Sequence, residues 1–305
     1  MHRVILAVST FVASLVLVSP PASAATKPLP VPYQFLTSAI LGGAPGANAP
    51  GTNDWSCKPT AEHPRPVVLV HGTFGNQSTN WQTYGPLLKN NGYCVFAPTY
   101  GTLPNLPYPV KALGGFGDIR TSAEQLRIYI DQVLRATGAA KVDLIGHSQG
   151  TLMPNYYVKF LGGAPKVHNY ISLAPLWHGT DTAPIPLFVK LFALDPDAVP
   201  VCTACAQMDA GSPFIARMRD GGVAVPGVNY VNIVTKYDQL VRPYTSGIED
   251  GMTNIVLQDY CKADQSEHFQ IASDRNATLH VLNALDPAHP RPLTCTASLP
   301  FVGGL

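Results

Sequence analysis

Apolar residues recur along this chain in two rhythms, short unbroken runs and longer stripes at helical spacing, and the two alternate. Pro66–Val70 is a continuous β-branched and apolar run, the pattern of a strand buried on both faces of a parallel sheet. Tyr93–Ala97, Val142–Ile145, Asn169–Ala174, Val228–Thr235 and Asn254–Gln258 predict further strands. Between them Asn80–Asn90, Asp118–Ala136 and Gln149–Leu161 predict helices. The clearest is Asp118–Ala136, where Ile119, Ala123, Leu126, Ile130, Val133 and Leu134 fall on one face and Asp118 is placed to cap the first turn. Pro154 is an awkward residue inside the third helix and predicts a kink. A last helical stripe covers Ile271, Ala272, Leu279, Leu282 and Leu285. This alternation predicts an α/β fold with a mostly parallel central sheet flanked by helices.

The rhythm fails in two places. Residues 25–62 are rich in Pro, Gly and Ala and read as an extended N-terminal arm ahead of one α/β domain over 63–305. Residues 176–227 carry Pro184, Pro186, Pro196, Pro200, Pro213 and Pro226 among apolar patches, and read as a cap or lid over the sheet. A connection of that length inside a compact domain is usually functional.

Composition narrows the class. Charged residues are 13% of the chain, against about a quarter in ordinary domains, and the net charge is +1. Nothing favours a nucleic-acid partner. The start reads as a secretory signal over 1–24: Met1-His2-Arg3 is positive, Val4–Val18 is apolar, and Ala22-Ser23-Ala24 offers a cleavage site. The apolar run is shorter than the roughly 20 residues of a membrane span, so no transmembrane anchor is expected. Six cysteines in an exported chain predict disulfides, with 15 possible pairings. Sequence order and strand placement favour Cys57–Cys94, Cys202–Cys205 and Cys261–Cys295. A redox or zinc role for Cys202-x-x-Cys205 lacks a second ligand pair. No cofactor or metal site is read from the sequence, and a monomer is expected.

The chemistry centres on Gly146-His147-Ser148-Gln149-Gly150, directly after the strand Val142–Ile145. Gly-x-Ser-x-Gly between a buried strand and a helix is the nucleophile-elbow pattern, which presents a serine on a sharp turn. Such a serine needs an acid and then a histidine further along the chain. Both belong just past strand ends, where ligands bind in open α/β sheets. Asp238 follows the strand Val228–Thr235, whereas Asp181 and Asp209 lie in the expected cap and Asp259 and Asp264 lead into the histidine itself. Among the histidines after Ser148, His268 precedes a helix and follows the last strand. His168 and His178 come before the acid, His280 lies within a helical stripe, and His289 sits between prolines. Oxyanion donors are expected from the backbone of Gln149 and of Thr73, in the loop His71-Gly72-Thr73-Phe74-Gly75, with the Thr73 hydroxyl as a third bond. His71 and His147 read as structural.

The segments His71-Gly72-Thr73-Phe74-Gly75-Asn76, Gly146–Gly150 and Tyr237-Asp238 through Glu267-His268 resemble those of secreted actinobacterial lipases of the α/β-hydrolase superfamily. The resemblance covers roughly residues 35–290. It implies a serine ester hydrolase, a triacylglycerol lipase or carboxylesterase, with Ser148, Asp238 and His268 as the triad and three disulfides in sequence order. A small-molecule or lipid ester is the implied partner. Acyl transfer and polyester hydrolysis would use the same triad, and a non-catalytic binding protein on this scaffold is the alternative from another class.

Overall fold

A computed structural model describes residues 27–44, 46–103, 105, 108, 110–181 and 202–304. The expected signal over 1–24 lies outside the described residues. So does the stretch 182–201 of the expected cap, including Ile185, Leu187, Phe188, Val189, Leu191, Phe192 and Leu194.

Six strands form one sheet in the order β2-β1-β3-β4-β5-β6. They are β1 (Val67–Val70), β2 (Val95–Phe96), β3 (Val142–His147), β4 (Val167–Leu173), β5 (Asn229–Val234) and β6 (Thr253–Val256). Every neighbouring pair is parallel. This is the predicted architecture, and the reason is visible in burial: all four residues of β1 and all six of β3 are buried. Such strands need helices on both faces.

One face is covered by α3 (Ile119–Thr137) and α4 (Gln149–Phe160), which bury Ile119, Ala123, Leu126, Ile130, Val133, Leu152 and Met153 against Val68, Val70 and Leu144. Asp118 caps α3 as expected, accepting from the N–H groups of Arg120 at 2.8 Å and Thr121 at 3.4 Å. The helix ends at Gly138, which takes a left-handed conformation. α4 runs through Pro154 as one helix. The other face is covered by α2 (Tyr84–Asn90) and α8 (Arg275–Leu285), which pack Leu88, Val281 and Leu285 against Leu69, Ile145 and Ile171.

Local departures from the predicted elements have physical causes. The helix expected over Asn80–Asn90 starts only at Tyr84, because Asn80 is drawn into hydrogen bonds elsewhere. The strand expected over Asn254–Gln258 ends at Val256, and the chain turns into α7 (Leu257–Tyr260), with the Gln258 amide bonded to Thr235 Oγ1. Two short helices, α5 (Thr203–Gln207) and α6 (Pro213–Arg219), stand where no regular element was read. The arm is not wholly extended: it carries α1 (Phe35–Leu41). The chain ends in a small hairpin of β7 (Ser298–Leu299) and β8 (Gly303–Gly304). Disulfides join Cys57 to Cys94, Cys202 to Cys205 and Cys261 to Cys295. No helix among the described residues is long and apolar enough to cross a membrane.

Candidate active site

The strand order reverses between β1 and β3, since β2 lies to one side and β4–β6 to the other. A crevice forms at the carboxyl ends of strands at such a point. Loops after β1, β3, β5 and β6 converge there, and they carry Thr73, Ser148, Asp238 and His268.

Ser148 links β3 to α4 at φ 56°, ψ −127°, a strained conformation for a residue with a Cβ. The turn is that tight because strand and helix touch. A Cβ on Gly146 would stand 2.0 Å from the Gly150 oxygen, and a Cβ on Gly150 would stand 2.0 Å from the Val70 oxygen. Only glycine fits either position.

His268 Nε2 lies 2.9 Å from Ser148 Oγ, and His268 Nδ1 lies 2.9 and 2.8 Å from the two Asp238 oxygens. The Asp238 and His268 side chains are both buried. Asp238 is oriented by the N–H groups of Leu240 and Val241, which donate to its Oδ1 at 2.9 and 2.7 Å. With Nδ1–H donated to Asp238, Nε2 is left as the acceptor for the serine hydroxyl. The three residues singled out in the sequence are thus brought into one hydrogen-bonded chain.

The oxyanion candidates flank Ser148. Gln149 is the first residue of α4, so its N–H is one of the orphan donors of a helix N-terminus. The Thr73 N–H has no acceptor among the described residues, and the Thr73 hydroxyl is buried without a partner.

His71 and His147 serve as supports. His71 Nδ1–H donates to the Gly72 carbonyl at 2.8 Å, the Tyr100 N–H donates to His71 Nε2 at 3.3 Å, and the two rings stack at 4.2 Å. The Tyr100 hydroxyl donates to the His71 carbonyl at 2.6 Å and lies 3.1 Å from Gln149 Oε1, bringing the loop after β1 against the elbow. Burial holds the His71 imidazole down at about 4. His147 donates from Nε2 to the His268 carbonyl at 2.8 Å, and burial, then the neighbouring His268 charge, holds it at about 3. Both rings are neutral near pH 7.

The remaining candidates lie elsewhere. Asp259 is exposed and pairs with Lys236 at 2.5 Å. Asp264 is buried under the base loop, where it accepts from Ser266 and Asn276. His178 faces Glu249, His289 faces Asp286, and His280 packs on Tyr260. Among the described residues no three His, Cys, Asp or Glu side chains gather to hold a metal ion.

Sequence reasoning missed three supporting residues. Glu267 is buried and accepts from the N–H groups of Phe269 (2.7 Å), Gln270 (3.0 Å) and Phe301 (3.2 Å), shaping the loop that carries His268. Gln239 bridges the acid and base loops, accepting from the His268 N–H at 3.1 Å and donating to Glu267 at 3.0 Å. Asn80 accepts from the Gly72 N–H at 3.2 Å and faces His147 Nδ1 at 3.2 Å. Glu267 stands directly beside His268, and that adjacency is the one signal the sequence offered.

Ser148 and His268 open into a cavity of about 440 Å³. Its walls are largely apolar, formed by Leu113, Leu176, Met208, Leu240 and Val241 together with residues of α1. The size is that of an ordinary small-molecule site.

A family model described as Lipase (class 2) matches residues 64–280. A stretch of 96 residues is 38% identical to a triacylglycerol lipase of Pseudarthrobacter phenanthrenivorans and, equally, to one of Burkholderia plantarii. It covers 30% of this chain and 27% and 24% of those proteins, so the chain spans about a quarter of the length of the curated relatives it matches. Among solved structures, Aspergillus fumigatus lipase B superposes with a TM-score of 0.58 at 20% identity, over 81% of this chain and 61% of that one. The mature Bacillus licheniformis lipase BlEst2 gives 0.55 at 17% identity, over 74% of this chain and 93% of its own. At these identities the likeness is one of fold.

Proposed function

The chain belongs to the class 2 lipase family, and from that premise we propose that it is a secreted serine ester hydrolase acting on esters of apolar acyl chains. The observation that carries this reading is the unbroken hydrogen-bond chain from Ser148 through His268 to Asp238, opening into an apolar cavity beside two N–H groups free to receive an oxyanion.

Ser148 Oγ attacks the ester carbonyl while His268 Nε2 takes its proton. Asp238 stabilises the imidazolium that forms. The carbonyl oxygen gains negative charge and is received by the N–H groups of Thr73 and Gln149, with the Thr73 hydroxyl adding a third bond. His268 returns the proton to the leaving alcohol, and an acyl-enzyme remains on Ser148. Water, deprotonated by the same imidazole, then releases the acid. His147 sits against His268 with ring centroids 5.1 Å apart, and its neutrality matters because a second cation there would oppose the imidazolium. Secretion is supported by the leader-like residues 1–24 and by three disulfides, which persist in oxidising compartments.

The test is labelling with a short alkyl phosphonate and turnover of p-nitrophenyl butyrate. Wild-type protein is expected to be labelled on Ser148, and Ser148→Ala to lose both labelling and about 10⁶-fold in kcat with unchanged circular dichroism. Retained turnover in that variant refutes the assignment.

A further inference from the structure

The cavity draws its lining from different parts of the chain. The polar side and the wall of Leu113, Met208 and Val241 fall within residues 64–280, the stretch the family model matches. A further part of the apolar lining is α1, Phe35–Leu41, which lies before that stretch. We propose that α1 is the acyl-selecting wall of this enzyme, with Phe35, Leu36, Ala39 and Ile40 as the surface along which a long fatty acyl chain lies. The proposal rests on the reading of Ser148 as the nucleophile of an ester hydrolase.

Four features carry it. Phe35, Leu36, Ala39 and Ile40 line the same cavity as Ser148 and His268. Phe35 and Ala39, Leu36 and Ala39, and Leu36 and Ile40 are three or four positions apart, the spacing of neighbours on one face of a helix. The segment Phe-Leu-Thr-Ser-Ala-Ile-Leu bears no charge and no titratable group, so the wall can recognise only an apolar ligand. Its seven residues make a wall about 10 Å long.

The helix is held in place by the site itself. Seven residues do not form a stable helix alone, and α1 has no side-chain cap at its first turn. At one end the Phe35 N–H donates to Gln270 Oε1 at 3.1 Å, and the Phe35 ring packs on His147 and Phe269 with centroids 6.1 and 5.8 Å away. At the other end the Ser78 hydroxyl donates to the Gly42 carbonyl at 2.7 Å. Ser38 is the one buried residue of the helix, so α1 adds little to the core of the sheet and much to the cavity. Ile40 lines the cavity while 79% exposed, and Leu41 beside it is 81% exposed. The wall therefore ends at the mouth, where a chain longer than the cavity runs out along it.

Ala39 is the smallest side chain on this face and marks where the wall leaves most room. In Ala39→Phe a ring fills that room. The ratio of kcat/KM for p-nitrophenyl laurate to that for p-nitrophenyl butyrate is expected to fall about tenfold or more, the scale of discrimination a hydrophobic pocket exerts. Leu36→Ala, which widens the same face, is expected to move the ratio the other way, and it serves if Ala39→Phe does not fold by circular dichroism. Short-phosphonate labelling of Ser148 is followed in each protein. Variants that label and whose two esters fall in parallel, or do not change, overturn the role of α1 while leaving the serine mechanism standing. A wild-type protein that fails to label overturns the mechanism and this proposal with it.

Discussion

The side of the cavity that holds Ser148, Asp238 and His268 is fixed by directional bonds, whereas the side formed by α1 is fixed by its two ends and by contact. On the first side most polar groups are held by hydrogen bonds to defined partners. Asp238 is held by two N–H groups, the His268 loop by Glu267 and Gln239, and the loop after β1 by Tyr100 and Asn80. On the second side side chains meet the cavity only by shape, and apolar contacts of that kind repack when volume changes. Under the proposed function the difference separates two tasks. The bonded side sets which bond is broken, so damage there weakens turnover of every ester. The contact side sets which ester fits, so changes there redistribute activity among substrates.

The strongest way to break this comparison is Asp238→Asn. The amide leaves the His268 imidazole in the wrong tautomer, and kcat is expected to fall about 10⁴-fold. Steady-state kinetics should show the same factor for butyrate and laurate. A loss confined to laurate would merge the two sides into one.

Acid is expected to have the next largest effect, this time on stability. His71 and His147 are held near 4 and 3 by burial, below the 6.5 of a free imidazole. A lowered histidine contributes stability that is complete above pH 6.5 and is lost as pH falls toward the folded value. By pH 5 the loss is about 2 kcal/mol for each ring. Melting temperatures taken from pH 7 to pH 5 should decline accordingly. A flat profile would mean that the bonded side does not depend on neutral imidazoles.

Thr73→Val is the finest test. It keeps the backbone N–H and removes the buried, unpartnered hydroxyl, and a fall of about 10²-fold in kcat is expected if that hydroxyl meets the oxyanion. The same loss should appear for both ester lengths, with little change in KM. An unchanged kcat would remove the hydroxyl from the site and leave the two N–H groups.

Much of the bonded side was legible because local chemistry and chain order constrain it. Buried parallel strands announce themselves as unbroken apolar runs, as in Val67–Val70. The elbow needs glycine at Gly146 and Gly150 for reasons of contact alone. Strand ends then pointed to Asp238 and His268. The arm was illegible for the opposite reason. α1 has no cap and sits between Pro- and Gly-rich flanks, and its helical form is decided by Gln270 and Ser78, residues far along the chain. Propensity cannot report a structure that tertiary contact imposes. Glu267 was hidden similarly. Its neighbour His268 drew attention, but nothing in the sequence tells that its carboxylate is buried under three N–H groups.

The meeting of distant segments around the base loop has a consequence in time. Gln270, two positions past His268, takes the Phe35 N–H and donates to the Tyr33 carbonyl at 3.0 Å, contacts spanning 235 and 237 positions of the chain. Glu267 takes the N–H of Phe301, 34 positions later, and Gly303 is seated so close to Tyr33 that a Cβ there would stand 2.1 Å from its carbonyl. Contacts of such long range form late, after the loop-closure entropy between them has been overcome. A polypeptide threaded out of a cell from its N-terminus would thus travel with its serine elbow foldable and its base unclasped. Under the proposed function, an exported chain would have its base loop clasped only once the arm, that loop and the terminal hairpin had come together.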